Sequence, residues 1–157
     1  MLYVHDINTN AYVAASRETV IAEAKRALTM RRGTDLTSPR KAQDALVMRL
    51  AERKAECFGV LLLDSRQHLI ELRELFQGTI DGASVYPREV VRVVLESNAH
   101  SVILFHNHPS GSLEPSLADE RITTVLRDAL ALIDCRVLDH LIVAGSECTS
   151  FAARGLM

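Results

Sequence analysis

The segment from His106 to Asp119 reads His-Asn-His-Pro-Ser-Gly-Ser-Leu-Glu-Pro-Ser-Leu-Ala-Asp. Two imidazoles stand two residues apart, and a carboxylate follows the second after ten intervening residues. Catalytic zinc takes three nitrogen or oxygen ligands from the protein and keeps a fourth position open for water. This one stretch supplies all three, as His106, His108 and Asp119. The chemistry such a set supports is hydrolysis by a metal-activated water, with Zn2+ as the expected cofactor.

The elements around the set place it well for that purpose. Val102-Ile103-Leu104-Phe105 is a short apolar run that reads as a buried strand ending at the motif. Alternation along a strand puts His106 and His108 on one side, roughly 7 Å apart at the backbone, with Asn107 on the other. Pro109 stops the strand and Ser110-Gly111-Ser112 makes a turn. A helix then restarts, with apolar residues at Ile122, Val125, Leu126, Ala129, Leu130 and Ile133 marking its buried face. Asp119 falls in its first turn. Ser116 to Asp119 also fits a capping box, which taken alone accounts for both residues without any metal. The pair of histidines on a strand, turn and helix that bring the acid to them favours the metal. HNH nucleases spread their three residues over a longer segment, so the spelling His-Asn-His carries no nuclease reading.

Length and composition set the frame. The 157 residues are one domain's worth, and 48% hydrophobic with 24% charged residues is ordinary for a globular protein with a real core. Net charge is −2, divided as ten Lys/Arg against six Asp/Glu in residues 1–54 and eight against fourteen in residues 55–157. The first segment is thus modestly basic, too weakly to make nucleic acid the leading partner. Cys57, Cys135 and Cys148 are odd in number with no C-x-x-C spacing, and no secretory signal precedes them, so a reducing cytoplasm is expected. No apolar run is long enough to cross a membrane.

Further elements follow from periodicity. Val20, Ile21, Ala24, Ala27 and Leu28 mark an amphipathic helix begun by Ser16 or Thr19 and ended near Arg31-Arg32-Gly33. Ser38-Pro39 opens a second helix through Ala42, Ala45, Leu46 and Leu50. Phe58–Asp64 and His68–Ile80 read as a hairpin turning at Ser65-Arg66-Gln67. Pro87 opens a third helix with Val90, Val91, Val94 and Leu95 on one face, and Arg136–Ala144 is another strand. The expected fold class is α/β, a single domain whose mixed β-sheet is covered by helices on more than one side. Residues 1–35 read as an N-terminal helical extension, and residues 36–157 as the domain proper.

The H-x-H, ten residues, then Asp pattern, with serine three before the acid, is similar to the JAMM motif of the JAB/MPN metalloproteases. Phe76-Gln77-Gly78-Thr79-Ile80, Tyr86-Pro87-Arg88-Glu89-Val90, His106-Asn107-His108-Pro109-Ser110-Gly111, Val137-Leu138-Asp139-His140 and Ser150-Phe151-Ala152-Ala153-Arg154-Gly155 narrow the resemblance to the RadC-like branch. It covers residue 36 to the C-terminus and implies the JAB/MPN, cytidine-deaminase-like architecture. It also implies a general base. The family places a glutamate in an E-x-x-G context before the first strand, and Glu56-Cys57-Phe58-Gly59 matches it, ahead of Glu52, Glu71 and Glu74. Ser116 is then expected to hydrogen-bond a tetrahedral oxyanion, replacing or sharing its capping role.

The resemblance thus implies a zinc metallopeptidase of JAMM type that cuts a peptide or isopeptide amide in a protein or peptide substrate. The alternative is a metal-dependent DNA-repair or nucleic-acid-processing factor associated with a mobile element. RadC proteins of full length carry an N-terminal helix-hairpin-helix region, and this chain resembles the short form without it. A non-catalytic MPN scaffold is disfavoured because ligands and glutamate are all present. Cytidine-deaminase chemistry is excluded by the lack of H-x-E and P-C-x-x-C. Asp139-His140 looks like a dyad, but adjacent strand residues face opposite ways, which leaves His140 a supporting or structural role. His5, His68 and His100 are expected at the surface. Ser112-Leu113-Glu114 departs from the family's more polar turn.

Overall fold

Seven successive residues that are all buried, Cys-Phe-Gly-Val-Leu-Leu-Leu, demand a strand covered on both faces. They form one of the three interior strands of the main sheet in the computed structural model, which describes residues 3–78 and 85–157. In chain order the elements are β1 (Tyr3–Asp6), β2 (Ala11–Ala14), α1 (Arg17–Leu28), α2 (Pro39–Leu50), β3 (Cys57–Leu63), β4 (Leu69–Gln77), α3 (Pro87–Ser97), β5 (Ser101–Asn107), α4 (Leu117–Ala131), β6 (Arg136–Ala144) and β7 (Glu147–Ser150). The main sheet runs β4-β3-β5-β6-β7, antiparallel except for the parallel pair β5 and β6. A parallel pair needs a crossover, and α4 provides it. The α/β class with a mixed, helix-covered sheet is what the structure has.

Two apolar layers lie on the two faces of this sheet. On one, α2 packs Ala42, Leu46 and Leu50 against Cys57, Leu61, Ile103, Phe105, Leu141 and Val143. On the other, α3 and α4 pack Val90, Val94, Leu126 and Leu130 against Phe58, Val60, Leu62, Val102 and Leu104. Alternation along β5 sorts its residues accordingly, so His106 follows Val102 and Leu104 onto the α3–α4 face.

Several expectations need correction. Residues 1–35 are not helical throughout: Tyr3–Asp6 and Ala11–Ala14 pair as a two-stranded sheet, and only Arg17–Leu28 is helix. Ser16 caps that helix, accepting from Thr19 N–H, and it ends before Arg31 with no fully buried residue. On α3 the buried positions are Val90, Val93 and Val94, while Leu95 is exposed. On α4 they are Asp119, Thr123, Leu126 and Leu130, with Val125 turned to solvent. The apolar run 122–133 located the helix but set its buried stripe too far round, because two polar residues hold core positions. The β3–β4 hairpin turns where expected, with the Asp64 carboxylate accepting from Arg66 and His68 N–H. Thr79 and Ile80, the end of the expected second strand, lie outside the described residues. Among the described residues the strand β7 is an addition that four half-polar residues did not announce.

Gly59 shows why the sheet needs a residue without a side chain here. It pairs with Phe105 across β3 and β5, and a Cβ on it would collide with the Arg73 carbonyl and the Phe105 ring. Both neighbours are held, one by the sheet ladder and one by full burial. G59A should therefore destabilise the fold by about 1–3 kcal/mol, the usual cost of overpacking. Urea unfolding tests this, and an unchanged midpoint with unchanged slope would contradict it.

Candidate metal centre

The strand β5 and the helix α4 meet at one corner of the sheet, and the connection between them builds the site. His106 is the penultimate residue of β5 and is completely buried. Just past the strand, His108 is held by its N–H on the Val143 carbonyl of β6 (2.8 Å). The chain then turns through Gly111, whose positive φ of 83° suits a residue without Cβ. Ser116 caps α4, and Asp119 at its third position is buried. Here the capping box is complete: Asp119 N–H donates to Ser116 Oγ, and Ser116 N–H donates to Asp119 Oδ2 at 2.7 Å. The helix N-terminus also favours the carboxylate electrostatically.

The three expected ligands converge. His106 Nε2 and His108 Nε2 are 2.9 Å apart, His106 Nε2 is 3.2 Å from Asp119 Oδ1, and His108 Nε2 is 3.4 Å from Asp119 Oδ2. Ligand atoms sharing one tetrahedral zinc at about 2.0–2.1 Å stand roughly 3.4 Å from one another, so the set has the dimensions of a metal centre. His108 Nδ1 is 2.8 Å from the Ser112 carbonyl. A carbonyl only accepts, so Nδ1 carries the proton and the neutral ring bares Nε2 inward. Asp119 Oδ1 is buried and receives no hydrogen bond while the imidazoles are neutral; only a protonated His106 would donate to it. A buried carboxylate oxygen without a donor is costly, and a cation between it and the two imidazoles removes that cost.

Electrostatics separate the two histidines. Burial pushes His106 below its ordinary 6.5, outweighing the opposing hydrogen bond and charge of Asp119. His108 is raised, first by its hydrogen bond to Asp119, against a smaller effect of burial. Burial is the strongest single influence on Asp119 and acts upward. His106 and His108 together with the Ser116 N–H overcome it and hold the carboxyl far below the usual range. Burial drives Cys135 up to about 11 and Cys148 up to about 12, so neither is a thiolate nucleophile near neutrality.

Glu56 is two residues before Phe58, which pairs with His106 across the β3–β5 ladder. Its charge acts on both His106 and His108, raising their proton affinity. Of its competitors, Glu74 is tied to Arg49 and Arg53 at 2.8 and 2.6 Å, and Glu71 to Arg73 at 2.7 Å. Both lie on β4, two strands from β5, and Glu52 is exposed. Ser116 presents its hydroxyl to Asp119 Oδ2 at 2.7 Å, so the capping role is the one seen.

Residues beyond the three expected ligands complete the corner. Asn107 points to the opposite face, as alternation requires, accepts from Cys57 N–H at 2.8 Å and donates to the Ala55 carbonyl at 3.2 Å. It thereby pins the segment that carries Glu56. His140 is fully buried, with Nε2 2.8 Å from His106 Nδ1 and Nδ1 2.6 Å from Thr123 Oγ1. Asp139 faces away from it and organises the C-terminal turn, accepting from Ser150 Oγ at 2.6 Å and Ala152 N–H at 3.0 Å. That turn sets the Phe151 ring 4.8 Å from the His140 ring. Glu114 of the motif loop reaches the same turn through Arg154 at 2.7 Å. His5 and His100 are exposed and His68 is half-buried beside Asp64. A polar residue four after Asp119, and an asparagine between two ligands, were the available signals for Thr123 and Asn107.

A mixed α/β sheet with two histidines and an aspartate gathered where its parallel strand passes into a helix is a JAB-type arrangement whose triad could hold a metal ion. Residues 36–156 match the model of the RadC-like JAB domain, and the chain belongs to that family. A UPF0758 protein of Vibrio cholerae is 58% identical over 124 residues, 79% of this chain and 78% of that protein. Another from Shewanella baltica strain OS185 is 56% identical over 126 residues, 80% of this chain but only 56% of that protein, so the match spans about half of this relative.

The opposite shifts of the two ligands predict how they titrate. In metal-free protein an imidazole NMR titration should show His108 protonating above 6.5 and His106 below it. A raised His108 adds stability that is complete below 6.5 and disappears as pH rises through its folded value. The proton competes with the metal, so zinc affinity should fall as pH drops through that value. D119N should bring His108 down, and a His108 that titrates identically in D119N would refute the assignment.

Proposed function

We propose that the chain is a zinc-dependent hydrolase of the JAMM type that cleaves a peptide or isopeptide amide bond in a protein or peptide substrate. The observation that carries this reading is the convergence of two imidazole nitrogens and a buried carboxylate at a zinc-like spacing, with His106 Nε2 3.2 Å from the donorless Asp119 Oδ1 and His108 Nε2 3.4 Å from Oδ2. His106, His108 and Asp119 hold the ion. Zinc, when bound, supplies a water acidic enough to be deprotonated near neutral pH.

The remaining work falls to the chain's own groups. The Glu56 carboxylate takes a proton from the attacking water and returns it to the leaving amine, the two uses of one acid–base group in amide hydrolysis. The Ser116 hydroxyl serves the developing oxyanion by turning from Asp119 Oδ2 toward the substrate oxygen, which leaves Oδ2 the Ser116 N–H (2.7 Å) as its anchor. His106 and Asp119, wholly buried, keep water away from two sides, while the less buried His108 leaves the approach for substrate. Nucleic-acid binding draws less support. Five of the ten cations in the basic first segment are engaged with carboxylates, as Arg26–Glu23, Arg40–Asp44, Lys41–Asp35, Arg49–Glu74 and Arg53–Glu74. Among the described residues no helix is long and apolar enough to cross a membrane.

Zinc-loaded wild type and E56Q, incubated with cell extract, should differ in the new peptide termini seen by mass spectrometry. E56Q should lose roughly 10²–10⁴-fold of the cleavage rate while keeping about one zinc per chain, whereas H106A and D119A should lose the metal. Cleavage by E56Q at the wild-type rate, or zinc retained in H106A, would overturn the reading.

A further inference from the structure

Behind the two motif histidines, β6 places a third. The His140 ring sits edge-on to Phe58 at 5.7 Å and beside Phe151 at 4.8 Å, in a pocket closed to solvent. Its two nitrogens make one contact each, to His106 Nδ1 at 2.8 Å and to Thr123 Oγ1 at 2.6 Å. The Thr123 hydroxyl in turn stands 2.6 Å from the backbone carbonyl of Asp119, four residues earlier on α4. A continuous line of short hydrogen bonds therefore runs from the backbone of one metal ligand to the ring of another.

The direction of that line is set at its carbonyl end. The Asp119 carbonyl can only accept, so the single Thr123 hydroxyl proton points at it. Were that proton turned toward His140 instead, two oxygens would face each other at 2.6 Å with nothing between them. Thr123 Oγ1 thus accepts from His140 Nδ1–H. With the proton on Nδ1, the neutral His140 ring bares Nε2, and His106 Nδ1–H donates to it. His106 then has no proton on Nε2, the atom 2.9 Å from His108 Nε2 and 3.2 Å from Asp119 Oδ1. The reverse direction would drive a proton on His106 Nε2 into the position the metal takes.

We propose that Thr123 and His140 are positioning residues, a one-way relay from the Asp119 carbonyl that locks His106 in its Nδ1–H form and keeps the Nε2 lone pair turned to the metal. This rests on His106 being a metal ligand. The lock spares His106 a choice between tautomers on metal uptake, and partners of this kind contribute to metal affinity without touching the ion. Asp119 closes the circuit at both ends, through its carbonyl at the start and its carboxylate beside His106 Nε2 at the finish.

T123V removes the hydroxyl and keeps the branched shape, T123S restores it, and H140F keeps an aromatic ring between Phe58 and Phe151 while removing both nitrogens. In metal-free wild type and T123S, ¹⁵N NMR of the imidazoles should find the proton on Nδ1 and none on Nε2 in both His106 and His140. Zinc affinity, measured by competition with a chromophoric chelator, should weaken about 10- to 100-fold in T123V and H140F and recover in T123S. A proton on Nε2 of either ring in wild type would overturn the relay, as would a T123V protein with wild-type tautomers and wild-type zinc affinity. If H140F does not fold, the T123V and T123S pair decides. Because the tautomers are read without metal, a wild type that takes up no zinc defeats the hydrolase reading and still leaves the relay to be judged by NMR.

Discussion

A carboxylate buried to the point of zero exposure governs this corner of the molecule. Withdrawing Asp119 from water costs several kcal/mol unless charge or hydrogen bonds compensate, and the surroundings meet that demand unevenly. Oδ2 receives the Ser116 N–H and O–H, both at 2.7 Å. Oδ1 receives neither. What faces it is imidazole, and imidazoles that present lone pairs intensify the need for a cation. The capping box and the metal reading, which compete when only the sequence is in view, are thus compatible: the cap satisfies one oxygen and leaves the other without a donor, where a cation could sit.

The sheet is arranged to sustain that imbalance. The one parallel step, β5 to β6, forces a crossover, and the crossover helix begins where β5 ends. Ligands from strand and helix then meet without a long loop, as ligands do at the carboxyl ends of parallel strands. The antiparallel neighbour β3 brings Glu56 to the same end, and Asn107 holds its approach by bonding backbone on both sides of it. Of the three motif residues on β5 and its extension, two turn toward Asp119 and the middle one secures the segment that carries Glu56.

Much of this was legible in the residues. The spacing of His106, His108 and Asp119 is a local geometric fact, and strand alternation followed by a capped helix turns it directly into proximity. The strands β3 to β6, the β3–β4 hairpin and the start of α2 followed from apolar runs and from Ser38-Pro39. Thr123, His140 and Asn107 were harder to place, because their roles come from contacts 17 to 54 positions away along the chain. The same long-range contacts account for the misplaced stripe of α4. A threonine and an aspartate occupy buried positions there for hydrogen bonding, and a rule that equates burial with apolarity turns the helix to hide Val125 instead. Among the described residues the hairpin at Tyr3–Ala14 pairs only with itself, and it buries little, so no strong alternation marks it.

Unequal shielding of the three ligands has a kinetic side. The His106 and Asp119 side chains are 0% and 1% exposed, whereas that of His108 is 11% exposed. Among the three candidate ligands, the His108 side is therefore the open one. If an ion occupies the triad, His108 is the ligand that solvent reaches most readily, and so the one expected to release first. The loop Ser110-Gly111-Ser112, which fixes His108 through the Ser112 carbonyl, would then act on residence time: the exchange rate of a metal held there would be set at a surface turn, however deep the other two side chains lie.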